Sequence, residues 1–322
     1  MNRLEHPYIE ISLFLLKRFS KTLKFDIYVR RTETDYTKIF RSGDSIDWDR
    51  VKVYTDKGIK VFYCTISDYE VYGLYVERVG YELNQKQTPI SQVEALEFMK
   101  EIVNYTMHEF TVKLMPSERT VEAAANMISS CIESLNKDPK ALIRLLTLMS
   151  HQPYLIKHSV AVSMFSVMLA KKAGIESDSN LKIIALGGLL HDVGEGQLDF
   201  DPEDVEILEP EQRRMVWRHP ELGKQLLDGI KNIRSEVIQI VMQHHEQPNG
   251  HGYPNGLRGG EIYYPAKIVA VADSFASMIT KRSYRDAFTI ERAVICMREN
   301  QGKYDRALIE HLHDLFLKKL AA

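Results

Sequence analysis

Two rhythms of hydrophobic residues divide the chain. In the first part apolar and polar residues alternate: 25–30, 36–41 and 59–65 repeat with a period of two and are rich in aromatic and β-branched residues, so each predicts a strand. Residues 47–57 predict a helix closed by Gly58, Ser67-Asp68 a cap for a helix running to Val79, and residues 8–22 a short helix with apolar residues on several faces. The polar stretch 80–89 predicts a linker ending in Pro89. From Ile90 the spacing changes to threes and fours, in Val93, Leu96, Met99, Ile102 and Val103, and again in Val121, Ala124, Met127, Ile128 and Cys131. Helices over 140–150 and 154–174 follow a turn at Asn136-Lys137-Asp138-Pro139.

These elements predict an α+β protein. A small N-terminal α/β domain of regulatory type (1–85) leads through linking helices (86–145) into an all-α helical domain (146–322), and 322 residues are enough for two domains. Tyr63, Tyr69, Tyr72 and Tyr75 read as packing residues of the first domain.

Composition adds mainly exclusions. With 42 basic and 44 acidic residues the net charge is −2, which gives no reason to expect a nucleic-acid polymer or an acidic membrane as partner. No window holds the roughly 18 apolar residues of a membrane span, and the polar start of the chain does not resemble a secretory signal, so a cytoplasmic location is expected. Cys64, Cys131 and Cys296 are far apart in apolar or helical settings, the pattern of buried thiols in a reducing compartment.

The chemistry lies in the second half. Histidines crowd the stretch from His151 to His251, and five separated segments supply imidazole or carboxylate groups in helical settings: His158, His191-Asp192, His219, His244-His245 and Asp273. One such group would be an ordinary hydrogen-bonded core residue. Together they would be costly to desolvate without a cation, whereas two cations sharing one carboxylate would satisfy them all.

The chain resembles the HD-GYP phosphodiesterases of the HD superfamily. The matching blocks, in order, are Lys157-His158-Ser159, Gly188-Leu189-Leu190-His191-Asp192-Val193-Gly194, Arg218-His219-Pro220-Glu221-Leu222-Gly223, His244-His245-Glu246, Gly250-His251-Gly252-Tyr253-Pro254-Asn255-Gly256-Leu257, Ile268-Val269-Ala270-Val271-Ala272-Asp273 and Arg282-Ser283-Tyr284-Arg285. The resemblance implies a helical bundle with a dinuclear metal centre that hydrolyses the bacterial second messenger cyclic di-GMP. His158, His191, Asp192 and Asp273 would hold one ion; Asp192, His219, His244 and His245 would hold the other, with Asp192 as the bridge and a bridging hydroxide as nucleophile. Iron or manganese suits the mixed imidazole and carboxylate set, and zinc is possible. Arg282 and Arg285 would contact substrate phosphate, and the loop around Gly252, Tyr253 and Pro254 would border the cleft and offer a surface to a protein partner.

The chain departs from the family at several positions. Glu195 stands where a phosphate-binding lysine is common, Tyr154 where trinuclear members carry a metal-binding glutamate, Ala276 where an aspartate is usual, and Asn249 replaces an aspartate in the GYP loop. A carboxylate at Glu195 would repel a phosphodiester. Two alternatives to an active phosphodiesterase therefore accompany it: a catalytically weak signalling module that binds nucleotide or protein, and an HD-type oxygenase or hydrolase of another nucleotide.

Overall fold

The computed structural model describes residues 7–13, 15–16, 22–32, 34–59, 61–85, 92–110, 117–137, 154–282 and 285–317. Four short strands open the fold: β1 (Tyr8–Ile11), β2 (Ile27–Arg30), β3 (Tyr36–Phe40) and β4 (Phe62–Thr65). They form one sheet in the order β1-β4-β2-β3, with every neighbouring pair antiparallel; Ile9 faces Cys64 across one pair and Tyr28 faces Tyr63 across another. Alternation does what the sequence leads one to expect. Ile27, Val29, Phe62 and Cys64 point into the core, while the rings of Tyr8, Tyr36 and Tyr63 gather, Tyr8 lying on Tyr36 at 4.2 Å and Tyr36 meeting Tyr63 edge-on at 5.1 Å.

Residues 8–11 are a strand rather than the start of a helix. Their pairing with β4, which no local periodicity reveals, decides it. Helix α1 (Trp48–Asp56) begins at the cap Asp47, whose carboxylate accepts the Arg50 N–H, and stops before Gly58, whose φ is +88°. Helix α2 (Ile66–Gln85) is capped two residues earlier than expected: the Thr65 hydroxyl, not Ser67-Asp68, accepts the Asp68 N–H. It also runs through Gly80 to Gln85, taking in most of the stretch read as a linker, because packing against the helices that follow overrides the weak local propensity. Those are α3 (Gln92–His108) and α4 (Glu118–Lys137), which pack on α2 and on each other. Tyr69, Tyr72 and Tyr75 are buried, as expected of packing residues. The helix expected over 140–150 lies outside the described residues.

The remaining helices are α5 (Tyr154–Lys172), α6 (Asp178–Leu190), α7 (Pro210–Val216), α8 (His219–Leu227), α9 (Ser235–Gln243), α10 (Tyr264–Ile279), α11 (Ile290–Glu299) and α12 (Arg306–Phe316). Helix α5 is apolar all round because it is the centre of this part: α6 and α10 pack on it, α9 packs on α6, and α8 on α9. Gly188 permits a close approach of α6 to the backbone of α5, since a Cβ there would sit 3.0 Å from the Ser163 Cα. The result brings His158 of α5 beside His191 at the end of α6.

Cys64 and Cys131 are buried free thiols as expected, whereas Cys296, on the outer part of α11, is only half-buried. Among the described residues no helix is long and apolar enough to cross a membrane.

Candidate metal centre

Five helices deliver the seven imidazole and carboxylate groups to one place. His158 comes from the middle of α5, His191 and Asp192 from the end of α6, His219 from the first turn of α8, His244 and His245 from the end of α9, and Asp273 from α10. The approach of α8 depends on Gly194: a Cβ there would lie 2.0 Å from the His219 carbonyl oxygen and 2.6 Å from the Gly223 nitrogen. The glycine after His191-Asp192-Val193 is therefore what lets His219 reach Asp192.

Asp192 is the hub. Its Oδ2 lies 3.0 Å from His191 Nε2 and 3.8 Å from His158 Nε2, while its Oδ1 lies 3.3 Å from His219 Nε2 and 3.5 Å from His244 Nε2. Asp273 Oδ1 is 3.0 Å from His158 Nε2 and 3.9 Å from His191 Nε2. The ligand-type atoms fall into two groups that share Asp192: His158, His191 and Asp192 in one, and Asp192, His219, His244 and His245 in the other, each within 4.8 Å.

The hydrogen bonds behind the rings decide what this arrangement can hold. His191 Nδ1 faces the Gly188 carbonyl at 2.8 Å, and His219 and His244 Nδ1 face those of Val216 and Val241 at 2.7 Å. A carbonyl can only accept, so each Nδ1 donates and each neutral ring turns an Nε2 lone pair inward. His158 is braced differently, by the Tyr154 hydroxyl 3.1 Å from its Nδ1. The inward-facing atoms are thus mostly acceptors facing acceptors. The buried Nε2 of His191 has no well-formed hydrogen bond among the described residues, though Asp192 lies close. A cation is the partner that this donor set fits.

The acid–base balance without a cation tells the same story. Burial would lower His191, but the neighbouring Asp192 carboxylate outweighs it and lifts this imidazole to about 9. His219 is raised in the same way, against its burial, by Asp192. Burial and the adjacent imidazoles lower His245, and burial lowers His244. Burial would raise Asp192, yet the surrounding imidazoles hold it well below the usual carboxylate range. Protons stand in for positive charge that the carboxylates demand.

The residues expected to meet substrate lie around this cage. Arg282 forms an ion pair with Glu203, donates to the Ser277 hydroxyl at 2.7 Å and lies over the Tyr154 ring at 4.4 Å. Glu203, which no motif singled out, is raised by burial against the pull of Arg282, and it also feels His158 and Asp192. Arg285 directs its guanidinium nitrogens to the carbonyls of Ser277 and Met278, at 2.7 and 3.2 Å, so it closes the C-terminal end of α10. Glu195 sits in the 3₁₀ turn Val193–Gln197, close enough for its charge to add to the upward shifts of Tyr253, raised chiefly by burial, and of His219, raised chiefly by Asp192 against its burial. Tyr253 stacks on His245 at 4.6 Å, and Gly252 and Pro254 flank it in a loop pinned by Glu246, whose buried carboxylate accepts the Asn255 and Leu257 N–H groups. Ala276 lies on the buried face of α10, and Asn249 bridges its loop to Gly302 through its backbone N–H.

A family model described as an HD domain matches residues 140–308, more than half of the chain, and the chain belongs to this family. The resemblance to HD-GYP proteins read from the motifs holds. A cyclic di-GMP phosphodiesterase of Pseudomonas aeruginosa is 30% identical over 185 residues, covering 56% of this chain and 44% of that protein. The cyclic di-GMP phosphodiesterase response regulator RpfG of Xanthomonas campestris pv. campestris is 34% identical over 142 residues, covering 42% and 36%. The chain thus spans less than half the length of these relatives. An HDG"Y"P protein from Bdellovibrio bacteriovorus has the same fold, with a TM-score of 0.68 and 24% identity over 96% of this chain and 99% of that one.

Proposed function

We propose that this chain is a metal-dependent phosphodiesterase that hydrolyses a cyclic dinucleotide, cyclic di-GMP in the first instance, in the cytoplasm. The observation that carries the reading is the pair of inward-facing acceptor groups sharing Asp192. His158, His191, Asp192 and Asp273 would hold one divalent ion, and Asp192, His219, His244 and His245 the other; iron or manganese fits this mixed set, and zinc is possible. Such a pair would lower the pKa of a shared water to make the nucleophile and would stabilise the attacking and leaving oxygens of a phosphodiester. The relatives named above support the substrate class. In this reading 1–85 is regulatory, 86–145 links and 146–322 carries the chemistry.

The protein's own groups bind and orient. Arg282, held between Glu203 and the Tyr154 ring, offers a guanidinium beside the His158 side of the cage, where a phosphate oxygen would be met by a directional donor. Arg285 would support Arg282, whose backbone N–H and carbonyl it meets through its own carbonyl and N–H. Tyr253 and the rest of the Gly252-Tyr253-Pro254 loop cover the His245 side and exclude water.

A second reading, a weakly active module that binds nucleotide or a protein partner through the GYP loop, is favoured by one observation. Glu195 puts a carboxylate on the His219 and Tyr253 side of the site. One experiment separates the two: elemental analysis of anaerobically reconstituted protein, followed by an assay of cyclic di-GMP hydrolysis for wild type and Asp192→Ala. Turnover lost in the variant supports the enzyme. Binding without product in fully metallated wild type supports the module, and protein that cannot be metallated overturns both.

A further inference from the structure

Trp217 is one of two tryptophans in the chain, and it is 49% exposed. It follows α7, a helix that buries none of its residues, so the indole does not anchor α7 in the core. The main chain beneath it is nevertheless fixed. The backbone N–H of Trp217 donates to the Arg213 carbonyl at 3.0 Å, and His219 lies two residues further on.

The indole lies on the Tyr253 ring with centroids 5.7 Å apart and planes 29° apart. Tyr253 in turn lies on His245 at 4.6 Å and 30°, and His245 adjoins His244 at 4.1 Å. Three ring planes, His245, Tyr253 and Trp217, each tilted by about 30° to the next, therefore lead from the candidate metal cage toward solvent. Tyr253 is held in the middle of the ladder by its N–H bond to the His245 carbonyl, and Glu246 fixes the loop that follows it. Tyr253 covers one face of the indole, and the outermost plane of the ladder is left wet. What sets this indole apart from an ordinary exposed aromatic is its continuity with the rings of the cage, which leaves a π-face open to a planar ligand beside the site.

We infer that the exposed indole of Trp217 is a stacking platform for a purine base of a nucleotide whose phosphodiester lies at the histidine and aspartate cage. The inference rests on the proposed reading of that cage as a cyclic-dinucleotide site. A cyclic dinucleotide carries its bases one sugar away from its phosphates, and the ladder places an aromatic face two ring steps from His245. Stacking accepts any purine because every base has a π-face. Trp217 therefore contributes affinity without distinguishing guanine from adenine, and base choice falls to other groups.

The test uses the full chain, metallated anaerobically, on a Trp48→Phe background that leaves Trp217 as the sole indole. Titration with cyclic di-GMP is expected to quench its fluorescence with the same midpoint as equilibrium dialysis. Trp217→Ala is expected to weaken dialysis binding of cyclic di-GMP and of 3′3′-cGAMP alike, by roughly 5- to 150-fold, with metal content and melting temperature unchanged, and Trp217→Phe to recover most of the loss. Undiminished binding by Trp217→Ala overturns the platform while leaving the proposed function intact. So does a change of oligomeric state in that variant without a change in nucleotide affinity, which would assign the indole to a protein contact. If fully metallated wild type binds neither dinucleotide, the functional reading fails and the platform with it.

Discussion

The Nε2 atoms of His219 and His244 lie 3.1 Å apart, and the Nδ1 atom behind each is bonded to a backbone carbonyl. In the neutral rings this sets two lone pairs against each other, beside a carboxylate oxygen that also accepts. The arrangement is stable only around positive charge.

Metal should therefore stabilise the fold. At free metal a hundredfold above Kd the gain is about 2.7 kcal/mol, which for a chain of this size corresponds to a rise in melting temperature of roughly 5 °C. Calorimetry of chelated and reconstituted protein measures this. Equal melting temperatures at full occupancy would contradict a cage organised by a cation.

Metal affinity should depend steeply on pH. His191 is held at about 9 without metal, and a ligating imidazole must give up that proton. Affinity is expected to fall by about tenfold per pH unit for each proton displaced as pH drops below about 9. Titrations in buffers of different ionisation enthalpy should show proton release, and a pH-independent affinity between 7 and 9 would refute the displaced-proton account.

Glu195→Lys should strengthen nucleotide binding. The substitution replaces a negative with a positive charge on the His219 and Tyr253 side of the site, and the KM or Kd for cyclic di-GMP is expected to fall by roughly tenfold. Unchanged affinity would show that Glu195 does not face the phosphates.

Gly194→Ala should damage the site without touching a ligand. A Cβ 2.0 Å from the His219 carbonyl must push α8 away from Asp192, costing about 1–3 kcal/mol. Metal stoichiometry is expected to drop, with the His219 group losing occupancy first. Full stoichiometry at wild-type stability would mean the turn relaxes freely.

A pH effect of a different origin is expected far from the cage. Glu101 is buried and its carboxyl is raised, chiefly by burial; it accepts the Tyr72 hydroxyl at 2.7 Å, and that hydroxyl accepts the Ser12 N–H. A raised carboxyl binds its proton more tightly in the folded state. Its contribution is full below the ordinary glutamate value of about 4.3 and is lost as pH rises through the folded value. Glu101→Gln keeps the contact with Tyr72 and removes the titration, so its melting temperature should gain on wild type as pH rises from 4 to 8. Parallel profiles for the two proteins would exclude Glu101 as the source.

Periodicity carried much of the fold. The alternation in 25–30 and 36–41 became β2 and β3, and the helix expected over 154–174 became α5. It failed where partners far along the chain decided the outcome: β1 became a strand because β4 pairs with it, and α2 ran past Gly80 because α3 and α4 support it. The candidate site was legible as a set of residues because His158, His191, Asp192, His219, His244, His245 and Asp273 stand in recognisable blocks. Glu203 and Trp217 were not legible, since neither stands in a motif and each gains its meaning from a ring or guanidinium brought up from another segment.

What the sequence determined by itself is the inventory: which groups can bind a cation, on which helices they sit, and that Glu195 breaks the expected charge pattern. Only the tertiary structure decided how they meet. Asp192 became the hub because Gly188 and Gly194 let α5, α6 and α8 approach closely, and the inward lone pairs exist because carbonyls of Gly188, Val216 and Val241 claim the other ring nitrogens. Side-chain type is written in the chain, but the direction of a lone pair depends on what stands behind the ring.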